Sequence, residues 1–166
     1  ELTISYVDVL APRRHRLAAL REGYNFRCKC PRCIDDAPLA VDGMLEALRC
    51  GECGAAAPPD SVDDDKPADA TCTCGATVLA VAADALAVGP AIKPGPLPAA
   101  GSLEAKAEVA ALRAHLAELK LRLAPTHVLR IRASQRLTDV LIGAGEWDAA
   151  ALAAEAAVSG LAAVLP

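Results

Sequence analysis

The chain has 166 residues and a net charge of −4, and its 54% hydrophobic content includes only 2% aromatic residues. That length suits one domain with a real core or two small modules, and the mild acidity excludes a broad basic field for nucleic acid. Alanine dominates the apolar content, which favours closely packed helices over a sandwich of sheets built on large side chains.

From the N-terminus, ELTISYVDV alternates Leu2, Ile4 and Tyr6 with Thr3, Ser5 and Val7, a period of two that predicts a half-buried strand. On that pattern alone Tyr6 reads as a core tyrosine. A basic helix is expected over 12–22, with Arg13, Arg14, His15, Arg16 and Arg21 forming a solvated face. Tyr24-Asn25-Phe26 then leads into Cys28, Cys30 and Cys33.

Residues 38–49 carry Leu39, Val41, Met44, Leu45 and Leu48 at near-helical spacing, weakened by Gly43. Cys50-Gly-Glu-Cys53 and Cys72-Thr-Cys74-Gly75 flank an acidic, proline-bounded loop over 58–67, and 77–81 returns as a strand. The longest apolar run, 76–88, is interrupted by Asp84 and followed by Gly89-Pro90, too short and too broken to span a bilayer. A linker over 89–101, with Pro90, Pro94, Pro96 and Pro98, stops any helix and sets the two halves of the chain apart.

Beyond it, Ser102 is placed to cap a helix, with Glu104 in its first turn and an apolar stripe of Leu112, Leu116, Leu119 and Leu123. Pro125-Thr126 breaks that helix, and two more are expected over 127–142 and 146–165. Trp147, at the joint between them, reads as a helix-turn packing residue. His15, His115 and His127 lie at no ligand spacing and read as surface or satisfied residues. The chain opens on Glu1 without a methionine or a signal peptide and closes within an alanine-rich helical pattern, so it reads as a piece of a longer protein, cytoplasmic or nuclear.

Seven cysteines in tight groups, without a secretory context, point to metal rather than disulfides, because thiols two or three residues apart converge on one ion but rarely bridge without strain. Zinc is the default ion, and Cys50, Cys53, Cys72 and Cys74 complete one four-thiolate ribbon site by themselves. Cys28, Cys30 and Cys33 are then a site short of one ligand, with the fourth expected upstream of Glu1; reactive or buried thiols are the competing reading.

The N-terminal run from Glu-Leu-Thr-Ile-Ser-Tyr-Val-Asp through the basic helix to Tyr24-Asn25-Phe26 and C-x-C-x-x-C resembles the end of a SET domain and the post-SET segment of SMYD-type protein lysine methyltransferases. The resemblance implies that Tyr6 is the catalytic tyrosine, that Tyr24 walls the channel for the substrate lysine, and that Phe26 lies against the adenine of S-adenosylmethionine. It implies that Cys28, Cys30 and Cys33 share zinc with a cysteine of the SET body. It also implies that the glycine-containing cofactor loop, an asparagine-histidine pair and the MYND finger precede Glu1. The joint at Gly143-Ala144-Gly145-Glu146-Trp147 resembles the turn of a tetratricopeptide repeat, and a helical domain of that kind follows the post-SET segment in the family.

The fold expected is mainly α with a small zinc-stabilised β portion. It divides into the end of a SET domain (1–24), a post-SET segment (25–37), a helix plus zinc ribbon (38–88), the linker (89–101) and tetratricopeptide-like helices (102–166). The function implied is that of the C-terminal part of a lysine N-methyltransferase acting on a histone or another protein, inactive by itself. Its partners would be a lysine-bearing protein substrate and a protein on the helical surface, with neither nucleic acid nor membrane. The alternative is a zinc-stabilised helical adaptor without catalysis.

Overall fold

A computed structural model describes residues 5–34, 39–61, 68–80 and 95–164, with the side chains of 39 and 40 set aside. The expected features at 1–4, at the centre of the acidic loop, at 81–94 and at the last two residues lie outside the described residues.

Residues 5–12 form bends and turns, so the strand expected from the alternating pattern is not seen over 5–9. A strand needs a neighbour to take its backbone hydrogen bonds, and none of the described strands runs beside this segment. Helix α1, Arg13–Tyr24, follows and buries Arg16, Leu17 and Leu20. It ends at Asn25, which takes the left-handed conformation at φ 54° and returns its N–H to the Arg21 carbonyl, the C-terminal turn that asparagine tolerates best after glycine. That turn brings Phe26 back beside the last residue of the helix. A single helical turn, α2 (Pro31–Ile34), and a short helix, α3 (Leu39–Leu45), complete the N-terminal part.

Two hairpins come next. Strands β1 (Leu48–Arg49) and β2 (Ala56–Ala57) pair antiparallel, Leu48 opposite Ala57, and β3 (Ala70–Thr71) and β4 (Thr77–Val78) pair likewise, Ala70 opposite Val78. Asp60 ties one hairpin to the other by accepting from the Thr71 N–H at 2.8 Å and the Thr71 hydroxyl at 2.7 Å.

Three helices then pack in sequence: α4 (Leu103–Arg122), α5 (Val128–Ala144) and α6 (Trp147–Ala162). Ser102 caps α4 as expected, its Oγ accepting from the Ala105 N–H at 3.0 Å, and all four leucines of the expected stripe are buried. His127 caps α5, its Nδ1 accepting from the Leu129 N–H. Burial pushes its pKa down to about 3 and the nearby Arg14, His15 and Arg130 add to that, so the ring is neutral and keeps its acceptor. Gly145, at φ 76°, closes α5.

The close crossing of α5 and α6 depends on Gly160, where a Cβ would stand 2.6 Å from the Pro125 carbonyl oxygen. Trp147, expected to pack at the joint, is instead 67% exposed at the first residue of α6. At Gly160 the absence of a side chain lets the backbones meet directly, and near the joint it is the small Ala150 that is buried in the core.

One core joins the two halves. Leu48, Cys50, Ala57, Ala70 and Cys72 of the hairpins are buried in the same cluster as Val109, Leu112, Leu116 and Leu119 of α4 and Leu137 and Leu141 of α5. The linker therefore separates these parts along the chain and not in packing. Its described end lies against α5, where Arg136 donates to the carbonyls of Gly95 and Pro96.

These placements give Leu119 and Trp147 opposite weights. Leu119→Ala should lower unfolding stability by about 2–5 kcal/mol, the usual effect of emptying a buried leucine site, whereas Trp147→Ala should stay within about 0.5 kcal/mol, as exposed positions do. Chemical denaturation of both variants checks the order, and a larger loss at Trp147 would contradict it.

Candidate metal centres and aromatic cleft

The hairpin turns are built alike. In the first, the Cys50 N–H donates to the Ala55 carbonyl and the Gly54 N–H to the Cys50 carbonyl; in the second, the Cys72 N–H donates to Ala76 and the Gly75 N–H to Cys72. Gly54 and Gly75 both have positive φ, 75° and 88°, conformations that admit glycine readily and other residues with strain. Each turn thereby aims two thiols at one point. The Cys50 and Cys74 sulfurs lie 3.6 Å apart and those of Cys53 and Cys72 3.5 Å apart, with all four within 4.8 Å of one another. Four sulfurs about 2.3 Å from one zinc ion would stand roughly 3.8 Å apart, so the set fits a tetrahedral ion. The backbone N–H of Cys74 draws the Cys72 thiol down to about pKa 6, while the neighbouring thiols push Cys53 up and Cys74 up to about 12, so the first negative charge of the set falls on Cys72. Cys50 and Cys72 face the shared core while Cys53 and Cys74 face solvent.

The second group is Cys28, Cys30 and Cys33, whose sulfurs also lie within 4.8 Å of one another. Turn α2 makes this possible, because the Cys33 and Ile34 N–H groups both donate to the Cys30 carbonyl and fold the chain back on itself. The Cys30 backbone N–H lowers the Cys28 thiol's pKa, while burial pushes Cys33 up to about 11, an effect that the neighbouring Arg16 opposes.

Beside these thiols is an open cleft of about 410 Å³, lined by Tyr6, Val9, Leu20, Phe26, Cys28 and Cys30 among others. The three aromatics singled out from the sequence come together here. The Tyr6 ring lies 5.1 Å from that of Tyr24, tilted by 58°, and 6.2 Å from that of Phe26, nearly edge to face at 80°. These are favourable aromatic geometries, yet each ring keeps roughly half its surface in solvent. Tyr24 supports Tyr6 and is not among the residues facing the cleft.

The floor of this region differs from the expected solvated helix face. Arg16 is buried, and Asp42 of α3 takes two guanidinium groups at once: Arg16 at 2.8 Å and Arg32 at 2.8 Å. Arg32 also reaches the Val9 carbonyl, and Arg14 pairs with Glu46. The correction has a visible origin. Arg16 precedes Leu17 and stands four residues before Leu20, on the apolar side of α1, and Asp42 sits within the apolar pattern of α3; a charge inside an apolar stripe on each of two helices is the signal for such a pair. Removing Asp42 would leave the buried Arg16 guanidinium without its carboxylate, at a cost of about 3–5 kcal/mol.

Part of the chain is similar to known proteins. Over 48 residues the chain is 48% identical to a SET and MYND domain-containing protein of Dictyostelium discoideum, a match covering 28% of this chain and 9% of the relative. It is 42% identical over 48 residues to the Arabidopsis thaliana protein SET DOMAIN GROUP 41, covering 29% and 9%, and 37% identical over 54 residues to a SET domain-containing protein of Dictyostelium discoideum, covering 30% and 14%. Over this part the chain is similar to SET-domain proteins. The matched stretch is about a tenth of the length of these curated relatives. No family model matches the chain, and among the described residues no helix is long and apolar enough to cross a membrane.

Metal content distinguishes the two thiol groups. Mild chelation of the purified chain should leave about one zinc equivalent, held by the four-cysteine set, and Cys72→Ser should remove it. Retention of no metal under reducing conditions, with Cys50 and Cys53 joined as a disulfide, would contradict this assignment.

Proposed function

We propose that this chain forms one wall of the active site of a protein lysine methyltransferase and the helical domain that supports it. The observation that carries the reading is that Tyr6 and Phe26 line an open cleft beside three cysteines, with Tyr24 packed on Tyr6, in a chain similar in part to SET-domain proteins.

S-adenosylmethionine, when bound in the whole protein, supplies the methyl group on a sulfonium. The chain's own residues would prepare the acceptor. Free lysine has a pKa of about 10.4, so transfer at neutral pH requires an environment that disfavours the ammonium, and apolar aromatic faces provide one. The Tyr6 hydroxyl would orient the neutral amine without competing as a nucleophile, a positioning role. Phe26 offers a flat apolar face suited to an adenine, and Tyr24 holds the Tyr6 ring in place. The cysteine-bound zinc ions would have no chemical duty; they would fix the segment that carries Phe26 next to the segment that carries Tyr6. The protein would act in the cytoplasm or nucleus, on a histone or another lysine-bearing protein.

A second reading, an adaptor without catalysis, would bind its partner through the helices, where α6 exposes Trp147, Leu152 and Val158 to solvent.

Labelled methyl transfer from S-adenosylmethionine to protein lysine separates the readings. The full-length protein containing this chain should be active, Tyr6→Phe should lower its turnover by about 10²-fold or more, and this chain alone should transfer nothing. Full activity in the Tyr6→Phe protein would refute the role of the hydroxyl, and an inactive full-length protein that binds a partner through its helices would establish the adaptor.

A further inference from the structure

We propose that Arg16 is an outer partner of the three-cysteine metal centre, donating to the metal-bound sulfur of Cys33 from a position fixed by Asp42 of α3. The inference rests on reading Cys28, Cys30 and Cys33 as metal ligands and is independent of methyl transfer.

Geometry comes first. An Nη of Arg16 lies 3.7 Å from the Cys33 sulfur, in a direction suited to donation, and sulfur's large radius lengthens such contacts relative to those with oxygen. The guanidinium has no freedom to be elsewhere. Its Nη1 donates to the Ala11 carbonyl at 2.6 Å and to Asp42 Oδ1 at 2.8 Å, and its Nη2 donates to Asp42 Oδ2 at 3.3 Å and the Arg32 carbonyl at 3.4 Å. With one Nη2 hydrogen on the carboxylate, the other is shared between the Arg32 carbonyl and the Cys33 sulfur, in a direction that the clamp on Asp42 fixes.

Charge gives a second and separate reason. Two guanidinium groups, Arg16 and Arg32, share the carboxylate of Asp42, so among the described residues this cluster carries one positive charge in excess. With neutral thiols nearby, that surplus is an uncompensated cost. Three thiolates on one divalent ion carry one negative charge, so the loaded centre and the arginine cluster neutralise each other across the Arg16–Cys33 contact. Ligands of metal ions are commonly oriented by such outer hydrogen bonds, whose loss weakens binding about 10–100-fold. The arrangement also makes α3 part of the metal centre: Asp42 touches no sulfur, yet it sets where the donor to Cys33 points.

The four-cysteine ribbon serves as an internal control in the same molecule. The test uses the whole chain and its Arg16→Leu and Arg16→Lys variants, loaded with cobalt(II) or with zinc in competition with a chromophoric chelator. Arg16→Leu should weaken the second, looser metal by about 10–100-fold and leave the tight one unchanged, with Arg16→Lys in between because it keeps the charge but loses the fork. Losing the donor should also move the sulfur-to-cobalt charge-transfer band of the looser site to lower energy, since the sulfur lone pairs are no longer stabilised by an N–H. Arg16→Lys, which keeps a buried cation beside Asp42, decides the matter if Arg16→Leu fails to fold. Unchanged affinity and band at the looser site, or equal weakening at both sites, would overturn the proposal; absence of any second metal in the wild-type chain would overturn the metal reading and the proposal with it.

Discussion

The burial of Cys50 and Cys72 in the same core as the leucines of α4 is the constraint on which the rest of the described structure depends. Hairpins with strands of two residues have too few hydrogen bonds and too little apolar area to persist alone. Here they are held from two sides, by convergence of four sulfurs at metal spacing and by the apolar face of α4. The dependence runs both ways. Leu48, Ala57 and Ala70 cover the side of α4 that α5 leaves open, and the Leu48–Leu123 bridge fixes the end of α4 against β1. A metal that closes the ribbon therefore also closes the helical core.

The N-terminal part follows the same logic with different materials. Its segments are too short to stabilise themselves: bends over 5–12, one turn at α2 and two turns at α3. A buried ion-pair cluster joins all of them, because Arg16 of α1, Arg32 of α2 and Asp42 of α3 meet while Arg32 reaches back to Val9. The aromatic cleft is the surface of that cluster. Tyr6 arrives on the bends and Phe26 on the left-handed turn after α1, so the spacing between the two rings is set by contacts beneath them. Asp8 pairs with Arg132 of α5 and ties the same segment to the helical half.

Much of this was legible in the residues, and the failures have particular physical reasons. The cysteine grouping was readable because metal ligands obey short-range spacing, and the Ser102 cap and the leucine stripe of α4 because helices repeat locally. The meeting of Tyr6, Tyr24 and Phe26 was accessible only through the family pattern, since nothing in their spacing brings a bend and a helix terminus together. Arg16 was misread as solvated because charge on a helix is usually exposed, and only the facing Asp42, twenty-six residues on, makes its burial tolerable. The size of Trp147 suggests a core position, but the ring is exposed at the first residue of α6, and the buried residue near the joint is Ala150. The linker prolines say nothing of tertiary packing, which long-range burial decides.

Hydrogen exchange of the amides of Leu112, Leu116 and Leu119, with the ribbon zinc bound and after its removal, tests the coupling of metal and helical core most directly. These amides lie in the middle and last turns of α4, far in sequence from every cysteine. If the ribbon and the helices share one core, stripping the metal should sharply accelerate their exchange, and restoring zinc should return their protection. Protection that is unchanged without metal would mean that the helices stand alone and would contradict the account.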